Sequence, residues 1–226
     1  MFWAVIKCNL VDPETADAFN AWYNASHAPR YIRQPAFRRG WRLERLDHAA
    51  QRGDPGQRYQ AIYEVDAVAD FNAALDRDHA ESHPWEDWET RIRDWQRTYY
   101  RLLGARGGPR PPAAGQGGFW SVERVDLQGL DAAGEAEFNR WSDARHLPAL
   151  AAAPGVRRAW RLKLEPDAND LGPRGQAWLT ICEADAADSL AVARDGAPLH
   201  DGLWAGHVRA LEIGICRKLY DHESPG

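Results

Sequence analysis

Two histidines stand at equivalent positions of a repeated pattern and are the first candidates for chemistry. His27 and His146 each follow a tryptophan by five residues and precede a proline by two. Because imidazole titrates near neutral pH, either side chain could take up and return a proton as a general acid or base. A structural interpretation stays open, since a histidine near a helix end can also hydrogen-bond the last free carbonyl groups.

Tyr23 lies one helical turn before His27, so the two side chains should share a helix face. Together they could bind and deprotonate a phenol or an enol, and the repeat carries Ser142 in place of Tyr23. Alternatively, Tyr23 is a half-buried member of a tryptophan-rich core. Six of the seven tyrosines precede residue 104, which places the working pocket in the first half. The predicted substrate-binding residues are Trp22, Tyr31, Arg42, Tyr63, Trp85 and Trp88.

Other polar residues are weaker candidates. Glu64 and Glu183 occupy matching positions on a predicted strand, where a carboxylate faces either a cavity or water. His79 and His83 have the spacing of a metal pair on a helix. Pro84 follows at once and the repeat offers no partner, so we predict no metal site. His83 alone could reach a substrate from its irregular segment, which should flank a barrel mouth. The predicted catalytic residues are His27, Tyr23, Glu64, His83 and His146.

Strand alternation should place Arg39 and Arg42 on opposite faces, so that one of them could meet a phenolate. Ion pairs on the sheet face are the alternative use. The chain has no glycine-rich phosphate loop, dinucleotide fingerprint, Ser-His-Asp order or zinc-ribbon spacing. We therefore expect no cofactor.

Composition excludes several classes of partner. The net charge is −5 and the pI near 5.9, which argues against a nucleic-acid interface. No apolar run approaches the 18 residues or so of a membrane span, and the first residues do not look like a signal peptide. Three cysteines without a paired pattern predict buried thiols in a reducing, cytoplasmic environment.

The sequence also contains an internal repeat. Residues 19–45 and 138–164 align without a gap and are identical at 12 of 27 positions, from Phe19 against Phe138 to Leu43 against Leu162. The period near 119 residues is domain-sized, far longer than the roughly 20–50 residues of solenoid repeats. The sequence therefore predicts a pseudo-dimer within one chain, and we leave open that two such chains form a homodimer.

Each half shows the same order of elements. The predicted strands and helices alternate as βαββαβ, with the first helix ending at the histidine because a proline follows it. Such a unit has helices on one face, so two units should pack through their sheets. The predicted domains are residues 1–103 and 119–222, joined by a linker at 104–118 that should hold no strand and followed by a frayed tail at 223–226.

The pattern Phe-x-x-Trp, four residues, His-x-Pro, and then Arg-x-x-Arg-Leu resembles the EthD-like branch of the dimeric α+β barrel superfamily. The usual Pro-Gly is Pro35-Ala36 in the first repeat and Pro154-Gly155 in the second. The resemblance implies an α+β fold in which two ferredoxin-like units form an intrachain dimeric α+β barrel. It also implies a ligand cavity between sheet and helices. The superfamily includes aromatic polyketide cyclases, lactone isomerases, cofactor-free monooxygenases and a haem-binding branch.

These features together predict a cofactor-independent acid–base enzyme acting on a bulky aromatic or phenolic molecule. Cyclisation, ring opening, elimination or isomerisation would suit it, in the lyase or isomerase class. Two alternatives stay open. One is a cofactor-free or haem-dependent monooxygenase on the same fold. The other is a non-catalytic module that binds an aromatic metabolite.

Overall fold

The two halves of the chain fold alike. The computed structural model describes residues 1–54, 56–80, 86–107, 118–165, 172, 175–197 and 202–223. The first half contains strands β1 (Phe2–Leu10), β2 (Phe37–Arg45), β3 (Tyr59–Val65) and β4 (Ile92–Gly107), and helices α1 (Ala16–Trp22), α2 (Ala28–Ile32) and α3 (Val68–Ala80). The second half contains strands β5 (Phe119–Leu127), β6 (Val156–Leu164), β7 (Trp178–Ala184) and β8 (Val208–Glu223), and helices α4 (Ala132–Trp141), α5 (Leu147–Ala152) and α6 (Ala187–Gly196). The sequence alone predicts strands at 37–45, 59–65, 156–164 and 178–184, and the bounds of β2, β3, β6 and β7 coincide with these.

The described strands close into one antiparallel barrel in the order β1-β3-β2-β8-β5-β7-β6-β4. Two of these pairings, β2 with β8 and β4 with β6, join the first half to the second. The halves therefore pair strand to strand at two seams as well as packing face to face. Closure leaves no described strand with an unpaired edge, which removes a common route to aggregation. The predicted fold class, two ferredoxin-like units in an intrachain dimeric α+β barrel, is confirmed.

Four tryptophans meet in the middle of the barrel. Trp3 and Trp120 begin equivalent strands, and each packs against Trp41 and Trp160 with ring centroids 5.0–5.5 Å apart. Side chains alternate along a strand, so the same faces of β1 and β5 carry the aliphatic residues around this cluster. The other faces pack against the helices. The barrel centre is thus a core to which both halves contribute equally.

The first helix of each half continues past its histidine, contrary to the prediction. A π-helical segment, Tyr23–His27, joins α1 to α2, and Ser142–His146 joins α4 to α5 in the same way. Pro29 falls in the first turn of α2, where its missing N–H costs little. The wider π turn also relieves the clash that a proline normally makes with the preceding turn. The helical segment therefore continues through the histidine, which lies within the layer of helices.

Two predicted boundaries are wrong. Strand β4 runs to Gly107, four residues into the predicted linker, because Gly104 and Gly107 pair with β6 of the other half. Strand β8 runs to Glu223 for the same reason, since Arg39 of β2 pairs with that residue. The remaining linker and tail positions, 108–117 and 224–226, lie outside the described residues. Pairing between the halves, which composition does not reveal, sets both ends.

None of the helices that the structure describes is long and apolar enough to cross a membrane.

Candidate functional site

Two adjoining cavities lie between the sheet and the helices of the first half. They enclose about 240 and 200 Å³, part of it open to solvent, and they share Ile6, Tyr23 and Trp95. The first is also lined by His27, Tyr31, Tyr63, Phe71, Leu75 and Arg97. The second is also lined by Cys8, Phe19, Arg42, Tyr59, Gln60 and Ala61. This is the position that the resemblance implies, and we call the two cavities together the aromatic pocket.

The π-helical turn brings Tyr23 and His27 together on the wall of the aromatic pocket. Their ring centroids are 4.5 Å apart, and both side chains are buried. The hydroxyl of Tyr63, on β3, donates a hydrogen bond to the hydroxyl of Tyr23 at 3.4 Å. The guanidinium of Arg42, on β2, lies 4.0 Å from the centre of the Tyr23 ring and donates to Asn24 Oδ1 at 2.9 Å. Four of the predicted site residues thus converge at one place.

Aromatic rings enclose His27. It stacks on Trp22 with centroids 5.0 Å apart and meets the edge of Tyr31 at 5.1 Å. Behind it, the buried carboxylate of Asp78 accepts hydrogen bonds from the Tyr31 hydroxyl at 3.0 Å and from Arg30 at 2.9 Å. Burial lowers the pKa of His27 to about 3, although Asp78 opposes the shift. The imidazole is therefore neutral at physiological pH.

Burial also keeps the tyrosines neutral. It raises the pKa of Tyr23 to about 12, against the opposing effect of Arg42, and it raises the pKa of Tyr63 well above its usual value. Desolvation disfavours the charged form in each case. Around Tyr23, the aromatic pocket therefore combines a neutral proton acceptor in His27, a neutral hydroxyl donor in Tyr23 itself and the guanidinium of Arg42. That set can bind a phenolic or enolic oxygen and stabilise negative charge as it develops there.

The equivalent place in the second half is chemically different. Ser142, Leu150, Cys182 and Leu190 replace Tyr23, Tyr31, Tyr63 and Phe71. Glu123 takes the place of Ile6, and Arg194 that of Leu75. Glu123 is ion-paired with Arg194 and lies 3.5 Å from the Nε2 atom of His146. We call Glu123, His146 and Arg194 the ionic cluster. Glu123 and Arg194 are not among the residues predicted from the sequence, although a glutamate on a strand face that also carries Phe119 and Val125 was a usable signal.

The ionic cluster is buried, with each member less than 10% exposed. Burial alone would raise the pKa of Glu123, but Arg194 and His146 together lower it to about 2. Arg194 also donates to Ser121 Oγ at 3.0 Å and to the carbonyl of Thr180. Among the described residues, Ser142 Oγ and His146 Nδ1 have no hydrogen-bond partner. His146 thus lies in a polar, ion-paired setting that lacks the tyrosines of the first half.

The remaining predicted site residues are dispersed. Glu64, predicted as a catalytic residue, points to the opposite face of β3 from Tyr63, toward Arg39 and Arg158 at one end of the barrel, so it is not part of the aromatic pocket. Side chains alternate between the two faces of β3, and the sequence did not show which face lines the pocket. Trp88 packs on Phe19 and Trp22 as part of the wall behind the pocket.

His83, Trp85 and the side chain of His79 lie outside the described residues. Arg39 and Arg42 lie on opposite faces of β2, as predicted, with Arg39 ion-paired to Asp221. All three cysteines are buried and free.

The surroundings of the two histidines do not fit a haem. The ring of His27 is packed against Trp22, Tyr23 and Tyr31. The ring of His146 stacks on Trp141 at 5.2 Å, and its Nε2 atom faces Glu123. The space beside His27 that admits a water-sized sphere is only about 10 Å³, which is far too small for a haem.

Comparisons with known proteins bear on the fold alone. No family model and no curated protein sequence matches the chain. The chain is similar in structure to an anthrone oxidase-like protein, with a TM-score of 0.64 and 10% identity over 100% of this chain and 94% of that one. A candidate monooxygenase from Fusobacterium nucleatum gives 0.64 and 9% over the same shares. A candidate chlorite dismutase gives 0.55 and 10% over 95% of this chain and 94% of that one.

Proposed function

We propose that the protein is a cofactor-independent enzyme that transfers protons on a bulky aromatic or phenolic molecule bound in the aromatic pocket. The main support is the contact of Tyr23 with three groups of different chemistry. The Tyr63 hydroxyl oxygen lies 3.4 Å from the Tyr23 hydroxyl oxygen. The centroid of the His27 ring lies 4.5 Å from the centroid of the Tyr23 ring, and the guanidinium carbon of Arg42 lies 4.0 Å from that centroid. The proposal keeps the predicted lyase or isomerase class and the EthD-like branch.

The groups divide the work between them. A substrate hydroxyl or acidic C–H that reaches His27 can give its proton to the neutral imidazole. The Tyr23 hydroxyl, whose oxygen accepts a hydrogen bond from Tyr63, can then donate its own hydrogen bond to the oxyanion that forms, and Arg42 supplies a fixed positive charge nearby. A free imidazole with so low a pKa is a weak base. Proton transfer to His27 must therefore be coupled to formation of the anion, whose charge stabilises the imidazolium.

The size of the pocket limits the route of binding. In its larger cavity, the space that admits a water-sized sphere is only about 10 Å³, which is about enough for one water molecule. Leu75 and Trp95, which line it, are only partly buried. A polycyclic ligand would enter by displacing these two side chains. The rings of Tyr31, Tyr63 and Phe71 would then offer aromatic faces to it.

A cofactor-free oxidative reaction is a second candidate. The fixed cation beside Tyr23 would stabilise a substrate anion, which is the electron-rich form that can react directly with O2. The oxidase and monooxygenase names carried by proteins of similar fold favour testing it. Both candidates share the first step, which is removal of a proton from the bound molecule.

Ligand binding and turnover test the proposal together. Hydroxynaphthalenes and anthrones are titrated into the protein while tryptophan fluorescence reports binding near Trp95, and products are then analysed with and without O2. We expect turnover, and His27→Gln should lower it by about 10²–10⁴-fold. His146→Gln, the matched change in the second half, should leave turnover unchanged.

Each outcome has a distinct meaning. Conversion without O2 supports acid–base chemistry, and conversion only with O2 supports the oxidative candidate. Binding without conversion would leave a non-catalytic binding module. If no aromatic ligand binds, or if His27→Gln retains full turnover, the proposal is wrong.

A further inference from the structure

The barrel interior contains two buried cations at equivalent positions. Alternation along β1 places Lys7 on the same face as Trp3, and alternation along β5 places Arg124 on the same face as Trp120. Both tryptophans belong to the central cluster, so both cations point into the barrel. Lys7 is 6% exposed and Arg124 is 2% exposed. Neither takes part in the aromatic pocket or in the ionic cluster.

Gln60 brings the two cations together. It is the cross-strand neighbour of Lys7 on β3, and residues directly opposite each other share a face. Its Oε1 atom accepts a hydrogen bond from Arg124 Nη2 at 3.0 Å, across the barrel. Its Nε2 atom approaches Cys216 Sγ at 3.7 Å. Lys7 and Arg124 therefore flank a common point next to one polar amide.

Glu212 lies directly opposite Arg124 on β8 and interacts electrostatically with both cations, but within the described part of the chain no carboxylate is close enough to either cation to form a direct ion pair. The charged groups that face Lys7 are Arg124, Glu212 and Asp54. Glu212 accepts a hydrogen bond from Gln176 at 2.6 Å, and Asp54 from the backbone of Gly56 at 2.8 Å. Asp126, the other carboxylate near this end, accepts from Arg209 and from the backbone of Ala177. Tyr100, a neutral phenol, and Cys216, a thiol, share the interior with the cations.

The groups around Lys7 and Arg124 do not fully compensate the positive charge of the two side chains. Arg124 Nη1 is buried and has no hydrogen-bond partner among the described residues. An arginine cannot discharge by losing its proton, so a buried and unpaired N–H group costs stability. The pKa of Lys7 is lowered to about 7, mainly by burial and next by the positive charge of Arg124. An anion between them would satisfy both groups at once.

We propose that Lys7, Arg124 and Gln60 form a binding site inside the barrel for a small monovalent anion, either a halide or a carboxylate group. Arg124 Nη1 and Lys7 Nζ would hold the negative charge, and the Gln60 side chain would keep Arg124 in place. A single negative charge suits the site, because the carboxylate of Glu212 already offsets part of the positive charge of Arg124 and Lys7. The site is independent of the function proposed for the aromatic pocket.

Thermal unfolding at constant ionic strength tests the site. Sodium gluconate, whose anion is too large for a closed interior, is replaced stepwise by sodium chloride in one series and by sodium acetate in another. A saturating anion should raise the Tm by about 5 °C, the size expected for binding at some hundredfold excess over Kd. The rise should be larger at pH 6 than at pH 8, because Lys7 carries more charge at the lower pH. A rise with chloride alone identifies a halide site, and one with acetate alone identifies a carboxylate site.

Variants locate the effect. Lys7→Met and Arg124→Met should each abolish the anion-dependent rise in Tm, whereas Arg101→Met, which removes a mostly exposed cation, should keep it. Wild-type crystals grown in bromide should show an anomalous peak between Lys7 Nζ and Arg124 Nη1, which gives a readout even if a variant does not fold. No rise with either anion, a rise that persists in both interior variants, or bromide crystals without that peak would overturn the proposal.

Discussion

Leu75 of α3 and Arg194 of α6 occupy equivalent positions and give the two halves different interiors beneath their helices. Leu75 lines the aromatic pocket. Arg194 is instead ion-paired with Glu123 and hydrogen-bonded to Ser121. One half thus keeps space between apolar and aromatic side chains, and the other uses the same place for a buried ionic cluster. The contrast sets up a direct test.

We expect Arg194→Leu to lower the free energy of unfolding by about 3–5 kcal/mol, because it leaves Glu123 buried without its main partner. Adding Glu123→Ile gives this half both side chains that the first half has, and it should recover most of that loss. Chemical denaturation of the two variants measures the difference. A double variant no more stable than Arg194→Leu would show that the ionic cluster is not a coupled unit.

Acid should weaken the protein in two overlapping ranges of pH. The pKa of His27 is lowered in the folded state to about 3, so its contribution is intact above the unfolded value near 6.5 and is lost as pH falls below it. Glu123 has a folded pKa of about 2, so its contribution is lost only below about 4.5. His27→Gln should flatten the stability profile between about pH 6.5 and 3, and Glu123→Gln should flatten it only below about pH 4.5, so the interval from pH 6.5 to 4.5 reports His27 alone. Denaturation curves across pH 3–8 measure both, and identical profiles in all three proteins would contradict the assignment.

Leu75→Ala should widen the opening of the aromatic pocket. We expect tighter binding of tricyclic than of bicyclic phenols in this variant, with a loss of stability of no more than about 2 kcal/mol because Leu75 is only partly buried. Asp76→Ala, an exposed change on the same helix, is the control. Fluorescence titration gives the two Kd values, and an unchanged ratio would place the opening elsewhere.

The tryptophan cluster should dominate the stability of the barrel. Trp160→Ala removes a ring that contacts three others, and we expect it to cost about 3–5 kcal/mol in the free energy of unfolding. Trp22→Ala, in the partly exposed helix layer, should cost less. Urea denaturation compares them, and equal losses would show that the central cluster is no more important than the outer layers.

Residues 1–107 alone should not be a well-behaved monomer. The fragment would expose the barrel face of its sheet, including Trp3 and Trp41, and it would leave the edges of β2 and β4 unpaired. We expect it to pair with itself or to aggregate, as measured by light scattering. A folded and soluble monomer would mean that the second half is not needed to cover this sheet.

The fold was accessible from the sequence because repetition and alternation are local signals. The copied motif from Phe19 to Leu43 predicted two like units, and the predicted bounds of β2 and β6 match those observed. Pairing between the halves was not accessible, so the ends of β4 and β8 were placed too early. The π turn was missed because Pro29 usually marks a helix boundary, and local spacing does not show that a wider turn can accommodate it.

The candidate site was predicted in part. One helical turn of spacing placed Tyr23 beside His27, and alternation placed Arg42 on the face opposite Arg39. The position of Glu64 was misjudged because the sequence did not show which strand face lines the barrel. Glu123, Arg194 and Lys7 were overlooked because a charged residue is usually exposed. Their burial depends on contacts between segments far apart in the chain.

The covalent link between the two halves changes how the protein can vary. In a homodimer built from identical chains, every substitution is made twice and both copies of a site must tolerate it. In this protein, where both halves belong to one chain, a substitution alters one half alone. The outer layers, where each half packs its own helices, have become unlike each other. The four central tryptophans, where both halves build one core, have stayed the same in each. One half of the linked barrel can therefore acquire a specialised site while the other half keeps the barrel stable.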